Sequence, residues 1–307
     1  MTVHRDIDKL PLFNNAVVTI GTFDGVHGGH QQIIELMKQE AAAIGGETVI
    51  ITFYPHPRQV ISNRPGPVYL LNTLNEKIQL LQQHGIHHLV IVPFTENFAQ
   101  QPAENYITDF LVKKFSPHTI IIGHDHHFGK NRSGNYELLE AKAATFNYRV
   151  KEIPEYMLQE VTISSTRIRE ALLKNDVDTA NRFLGYQYFF SGIVVEGNKL
   201  GRTIGYPTAN LHIQDDSKLV PGNGVYAVDV LIGDGQQVFR GMMNIGTRPT
   251  VDGSKRVIEV NIFDFDADIY GQQLTVFLKK RLRDEQKFSG LDALKAQLAK
   301  DKADAAK

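Results

Sequence analysis

The chain of 307 residues has no cysteine and no tryptophan, and its 33 Lys and Arg against 34 Asp and Glu leave a formal charge of −1. Without cysteine there is no disulfide, no thiolate nucleophile and no cysteine-held zinc, and the composition suits a reducing compartment. A charge balance this even lacks the broad basic face that DNA or RNA binding uses, although a small polyanion in a local site stays open. The longest apolar runs, LVIVPF (89–94) and TIII (119–122), fall far short of a membrane span of roughly 20 residues, and MTVHRDIDKL has no apolar signal core. A cytoplasmic protein that binds neither nucleic acid nor membrane is expected, with its oligomeric state open.

What is present reads as an ordinary globular composition, 42% hydrophobic and 22% charged. Domains usually hold about 100 to 200 residues, so two are expected. As far as residue 184, short apolar runs (AVVTIG, ETVIITF, HHLVIVPF, HTIIIGH) alternate with helical patterns such as HQQIIELMKQEAAAIGG and NEKIQLLQQHG. That grammar predicts a doubly wound parallel α/β sheet. The stretch 165–185 reads as one helix, capped by Ser165 or Thr166, with Ile168, Leu172 and Leu173 on one stripe and Gly185 at its end. Beyond it, apolar segments separated by Gly, Asp, Asn and Pro predict a small, closed antiparallel barrel of Greek-key type. A last helix is expected from Ser289, with Asp292 completing a capping box and Leu291, Leu294 and Leu298 on one face. The domains are therefore drawn as 1–184 and 185–307. Eleven of the twelve histidines precede residue 130, in keeping with that division.

Residues 21–30, GTFDGVHGGH, follow the apolar run AVVTI and precede an amphipathic helix. This is the first strand-to-helix turn of the predicted sheet, where open α/β folds bind ligands. Free N–H groups and the positive dipole end attract phosphate oxygens, and glycines allow close approach. His27 and His30, three apart, can place both rings on one face of the first turn and stabilise charge on a reacting polyphosphate. A metal pair or a purely structural turn are the alternatives, but there is no HExxH pattern, and GHDHHFGKN (123–131) does not have the P-loop spacing.

In the second half, GRTIGYPTANL (201–211) has Pro207 holding Tyr206 extended, so that Thr208 and Asn210 point the same way. A hydroxyl and an amide oxygen side by side suit Mg²⁺, a hard cation; a mere turn is the alternative. In RVIEVNIFDF (256–265), Ile258, Val260 and Ile262 alternate on one face and Glu259 with Asn261 share the other, either wet or at a site. The basic run Lys279, Lys280, Arg281 and Arg283 reads as a solvated face.

GTFDGVHGGH resembles the HxGH signature of nucleotidylyltransferases and, more narrowly, the first module of the bacterial bifunctional riboflavin kinase/FAD synthetase family. TFYPHP (52–57), FTENFA (94–99), GHDHHFG (123–129) and ISSTRIR (163–169) continue the likeness, and PTAN resembles the riboflavin kinase signature. NIGTRPT (244–250) and RLRDEQKF (281–288) resemble loops that close over flavin and nucleotide in these kinases. The resemblance implies a chain that makes FMN from riboflavin and ATP, then FAD from FMN and ATP, with Mg²⁺ in both steps. It assigns catalysis of adenylyl transfer to His27 and His30, with Gly21, Phe23, Asp24, Gly25, Gly29, Ser164, Ser165, Thr166 and Arg169 around the ATP phosphates. FMN falls to His56, Asp125 and Phe128. In the kinase half it implies ATP at Gly201, Gly205, Pro207, Thr208 and Asn210, Mg²⁺ at Thr208 and Asn210, Glu259 as general base, and flavin loops bearing Asn244, Arg248 and Arg283. The chain departs from the pattern at Thr22, where Asn is frequent, and at His126, where an aromatic is usual. A kinase with a weak or regulatory first module is therefore one alternative, and a non-catalytic flavin or nucleotide binder another.

Overall fold

The computed structural model describes residues 1–61, 67–123, 126–153, 163–197, 199–250 and 253–307, with only the backbone of 248–250 and 253–255. Contacts divide the chain into two units, Met1–Ser164 and Ser165–Lys307.

The first unit holds a parallel sheet of six strands, β1 (Thr2–His4), β2 (Val17–Ile20), β3 (Thr48–Tyr54), β4 (His88–Pro93), β5 (Thr119–Gly123) and β6 (Arg149–Ile153), in the order β1-β4-β3-β2-β5-β6. Val18, Ile20, Val49, Ile51, Val90, Ile120 and Ile122 pack into one core cluster, and Val17, Ile50, Leu89 and Ile121, pointing the other way, are buried as well. Apolar residues on both faces make these strands run continuously hydrophobic in sequence, as expected where helices cover both sides. The edge strands β1 and β6 were not legible: one has three residues, and the other, RVKEI, is largely charged. Helix α1 (Gly28–Ile44) buries Ile34, Met37 and Ala41 at helical spacing and ends at Gly45, whose φ is 60°. Helix α2 (Leu74–Gln83) starts with a capping box in which Thr73 and Glu76 satisfy each other's backbone amides. Helix α3 (Tyr136–Phe146) precedes β6.

The second unit opens with two helices where one was expected. Helix α4 (Ser165–Leu173) and helix α5 (Val177–Leu184) are separated because Asn175 adopts φ 64° and Asp176 caps the second helix, accepting a hydrogen bond from the Thr179 amide at 3.0 Å. Asn is one of the few residues that tolerate this conformation. The buried stripe of α4 is Ile168, Ala171 and Leu172, whereas Leu173 is exposed, one residue being a rotation of about 100°. Asn181 ties α5 to the strands that follow, donating to the Leu278 carbonyl at 2.8 Å and accepting from the Tyr188 amide at 2.7 Å. These contacts place the helix pair with the second unit, which is why the division by contacts falls twenty residues before residue 184.

A closed antiparallel barrel follows, with β7 (Phe189–Val195), β8 (Ala209–His212), β9 (Gly224–Ile232), β10 (Val238–Thr250), β11 (Gly253–Ile262) and β12 (Gln273–Arg283) in the order β10-β11-β8-β7-β12-β9. Tyr226, Val228, Met243, Val260, Val276 and Leu278 are fully buried, as expected for the filling of a small barrel. The C-terminal helix α6 (Leu291–Ala305) starts at Gly290 without a side-chain cap, so the capping box expected at Ser289 and Asp292 does not form. Leu298 and Ala305 pack against Ala227, Met242 and Phe263, while Leu291 is exposed.

Candidate active sites

In the first unit the strand order makes the chain run outward from β2 through β3 to β4, then return to β5 on the other side of β2. The ends of β2 and β5 therefore flank the topological switch point, where such sheets bind ligands. The turn 21–27 follows β2, His56 follows β3, and His126 to Phe128 follow β5, so all lie at the carboxyl edge of the sheet.

The turn is strained. Phe23 has φ 47°, Gly25 91° and Val26 37°, a region that costs a bulky or β-branched residue of order 1–3 kcal/mol. Four bonds hold it. Oδ1 of buried Asp24 accepts from the Leu71 and Asn72 amides at 2.8 and 3.4 Å, and Lys77 Nζ donates to the Thr22 carbonyl at 2.7 Å. Thr52 Oγ1 also donates to Thr22 at 3.2 Å, and Gln31 Nε2 donates to the Val26 carbonyl at 2.9 Å. Asp24, expected among the phosphate ligands, is thus turned toward backbone amides and anchors the turn.

His27 is the N-cap residue of α1, and the first turn of that helix carries no acid to offset the positive dipole end. The His27 and His30 rings stack with centroids 3.8 Å apart and planes at 20°, and Phe23 lies 4.8 Å beyond His30. Burial above all, then the charges of His27 and Lys77, hold the His30 imidazole well below its ordinary pKa, so it is neutral at pH 7. Gly21, Gly25 and Gly29 lie in the same turn and helix start.

His56 is buried, and its Nδ1 accepts from the Arg58 amide at 3.1 Å, which puts the proton of the neutral ring on Nε2. Phe128 stacks on Tyr106 with centroids 4.9 Å apart, and a Cβ on Gly134 would come within 2.3 Å of its ring. It is buried and belongs to the core cluster. Asp125 lies outside the described residues. Ser164 and Thr166 are exposed, and Ser165 and Arg169 half-buried, at the start of α4.

In the second unit the barrel register places Glu259 opposite Asn244 of β10 on one side and opposite Asn210 of β8 on the other. A cavity of about 290 Å³ opens on this outer face, between the barrel, the 200–208 segment and α6. Gly201, Thr208, Asn244, Glu259 and Arg283, all named from the sequence, line it together with Met242, Asn261, Phe288, Leu298 and Asp301, which were not assigned. Asn261 Nδ2 donates to the Pro207 carbonyl at 2.7 Å and so fixes the bend before Thr208. A Cβ on Gly201 would meet the Tyr206 backbone carbonyl oxygen at 2.2 Å, so this glycine is required by close approach, and one on Gly197 would meet the Asn210 side-chain amide at 2.1 Å. Gly205 turns the loop, and Pro207 lines a smaller cavity on the far side of Thr208. Asn210 is outside the lining of the large cavity although its strand partner Glu259 is inside it.

Arg283, expected on a flavin loop, is held by α6. Its Nε and Nη2 donate to the Asp301 carboxylate at 2.9 and 2.7 Å, and Gln297 supports the same carboxylate at 2.8 Å. The Arg248 side chain lies outside the described residues. Among the described residues no group of three or more His, Cys, Asp or Glu could hold a metal. Among them also, no helix is long and apolar enough to cross a membrane.

Paired imidazoles at the switch point of a parallel sheet, and a carboxylate facing a cavity on a closed barrel, define a two-domain nucleotide-using transferase. The FAD synthetase family model matches residues 10–167 and the Riboflavin kinase family model matches residues 184–307. The chain belongs to the family of bifunctional riboflavin kinases/FMN adenylyltransferases. It is 38% identical to the Escherichia coli K12 enzyme of that name over 285 residues, 93% of this chain and 90% of that one. It is also 38% identical to the Bacillus subtilis enzyme over 297 residues, 94% and 91% of the two chains. A solved structure from Streptococcus pneumoniae, described as a macrolide-efflux protein, has the same fold, with TM-score 0.89, 33% identity, and 99% and 98% of the two chains covered.

Proposed function

We propose that the barrel domain phosphorylates riboflavin with ATP to give FMN and ADP, and that the α/β domain transfers AMP from a second ATP to FMN, giving FAD and pyrophosphate. The observation that carries this reading is the presence of two separate and chemically different sites, each matched to what its acceptor needs. FMN brings a phosphate that is already an anion, so the first site requires alignment and charge stabilisation and no general base. The start of α1 and the rings of His27 and His30 would supply N–H donors there, and Ser164, Ser165, Thr166 and Arg169 would hold the triphosphate. His56 would border the FMN pocket.

Riboflavin brings a neutral alcohol, which has to lose a proton. Glu259 would take that proton as the terminal ribityl oxygen bonds to the γ-phosphorus and the bond to the ADP oxygen breaks. Met242, Phe288 and Leu298 offer the apolar walls that a flavin ring would pack against. The oxygen donors Thr208 and Asn210, next to the strand position of Glu259, suit Mg²⁺, which they would hold with the nucleotide. Bound there, Mg²⁺ would neutralise phosphate charge. The experiment is product analysis by chromatography on the intact chain with Mg-ATP, supplied first with riboflavin and then with FMN. FAD from both supports the reading; FMN alone from the first and nothing from the second would instead indicate a kinase with a silent first module, the reading that Thr22 and His126 leave as an alternative.

A further inference from the structure

Lys77 is a buried cation that the proposed chemistry does not use. It is 6% exposed, and its ammonium donates to two uncharged oxygens, the Thr22 carbonyl at 2.7 Å and Thr52 Oγ1 at 3.5 Å. Burial pushes its pKa down to about 8 despite the attraction of Asp24. A methionine of similar length would fill that space without the cost of desolvating a charge. A costly polar group retained where an apolar one would be more stable points to a task at the neighbouring site.

Two features show what the task is. The Thr22 carbonyl is the last backbone group before the left-handed residues of the turn, so the bond from Lys77 restrains the base of the strained segment. The positive charge of Lys77 also acts on His30. Among the described residues the titratable groups acting on that ring are His27, from the cap of its own helix, and Lys77, from α2; Phe23 covers a further side and is uncharged. Asp24, on the turn, attracts Lys77 and balances its charge.

We propose that Lys77 is a positioning residue of the adenylyl-transfer site, fixing the turn through its bond to the Thr22 carbonyl and adding a positive charge to the field at His30. The inference rests on reading that site as the place of adenylyl transfer. In that field His30 stays a neutral donor until a polyphosphate binds, and the anion then offsets the charge of Lys77.

Three variants of the full chain separate the two parts of the role. Lys77→Met removes donor and charge, Lys77→Gln keeps a donor, and Lys77→Arg keeps both. Three readouts apply: steady-state FAD synthesis from FMN, the NMR titration of the His30 ring in free protein, and the thermal midpoint. Lys77→Met is expected to lose about 10- to 100-fold in kcat/KM, mostly in kcat, the range of one hydrogen bond to a charged group. Lys77→Gln recovers part and Lys77→Arg most of that loss. The His30 midpoint moves upward in Met and Gln and stays in Arg, and the thermal midpoint of the Met variant does not fall. If Lys77→Met does not fold, the Gln and Arg pair carries the comparison. An unmoved His30 midpoint in every variant, or activity that falls only in step with thermal stability, overturns the proposal. Absence of FAD synthesis by the intact chain would instead sink the reading of the site, and the His30 titration would still report the charge of Lys77.

Discussion

Removing the Arg283 guanidinium is expected to open the kinase cavity from its helical side. Asp301 is only 3% exposed, and its carboxylate is held by Arg283 at 2.7 and 2.9 Å and by Gln297 at 2.8 Å. Breaking a buried pair by deleting one partner strands the other charge and costs about 3–5 kcal/mol. Among the described residues, what else docks α6 is modest: half-buried Leu298, the small Ala305, a hydrogen bond from Arg240 to the Ala306 carbonyl at 2.7 Å, and Lys302, which lies over the Phe263 ring and 3.7 Å from the exposed Asp264. One well-buried aliphatic side chain contributes about 1.5–3 kcal/mol, so the loss equals or exceeds what remains. In Arg283→Met the end of α6 should therefore loosen, carrying away the wall formed by Leu294, Leu298 and Asp301. The KM for riboflavin should rise about tenfold or more, and amide hydrogen exchange across 291–305 should quicken, while adenylylation of supplied FMN is unchanged. Adding Asp301→Leu removes the stranded charge and should restore most of the loss. Normal riboflavin affinity and exchange in the single variant would refute the argument. A double variant as impaired as the single would show that Arg283 acts on the flavin itself and not through Asp301.

Glu259→Gln keeps shape and loses the base, so riboflavin phosphorylation should slow by about 10²- to 10⁴-fold in single-turnover assays, with FAD still made from FMN. Gly201→Ala forces a methyl against the Tyr206 carbonyl oxygen at 2.2 Å; the loop must shift, and the KM for ATP in the kinase reaction alone should rise. Stability of the first domain should increase with pH. His30 and Lys77 both have folded pKa values below their ordinary 6.5 and 10.5, so the unfolded chain binds more protons. Stability should thus drop as pH falls below 6.5, where the unfolded His30 takes up a proton, and should rise between about pH 8 and 10.5 as the penalty on Lys77, on the order of 3 kcal/mol, lifts. Urea unfolding across that range checks the sign, and a decline between pH 8 and 10 would contradict it.

The residues that could be read from sequence are those whose role is encoded within a few positions. Pro207 and the period-2 pattern around Glu259 specify local geometry, and the structure places Thr208 and Glu259 on one cavity. The spacing of His27 and His30 likewise suffices to stack their rings. What could not be read depends on partners far along the chain. Asp301 is 18 residues from Arg283, on a helix whose exposed Leu291 weakens the apolar stripe that the sequence suggested. Lys77 follows a capping box that announces a helix but says nothing of which side faces the turn 55 residues earlier. The motifs that bring Asp24 and Phe128 into the expected sites say nothing of the Leu71 and Asn72 amides that Asp24 accepts from, or of the Tyr106 ring on which Phe128 stacks. Asn261 was within reach, since it shares a strand face with Glu259, but its bond to the Pro207 carbonyl needed the register.

The central claim is that two independent sites act on different links of the ATP phosphate chain. It is tested most directly by following FMN, FAD, ADP and pyrophosphate together in three proteins given riboflavin and Mg-ATP: the intact chain, His27→Ala with His30→Ala, and Glu259→Gln. The account predicts FAD from the first, arrest at FMN with ADP but no pyrophosphate from the second, and almost no product from the third unless FMN is supplied. Loss of both activities in either variant, with the protein still folded, would contradict it.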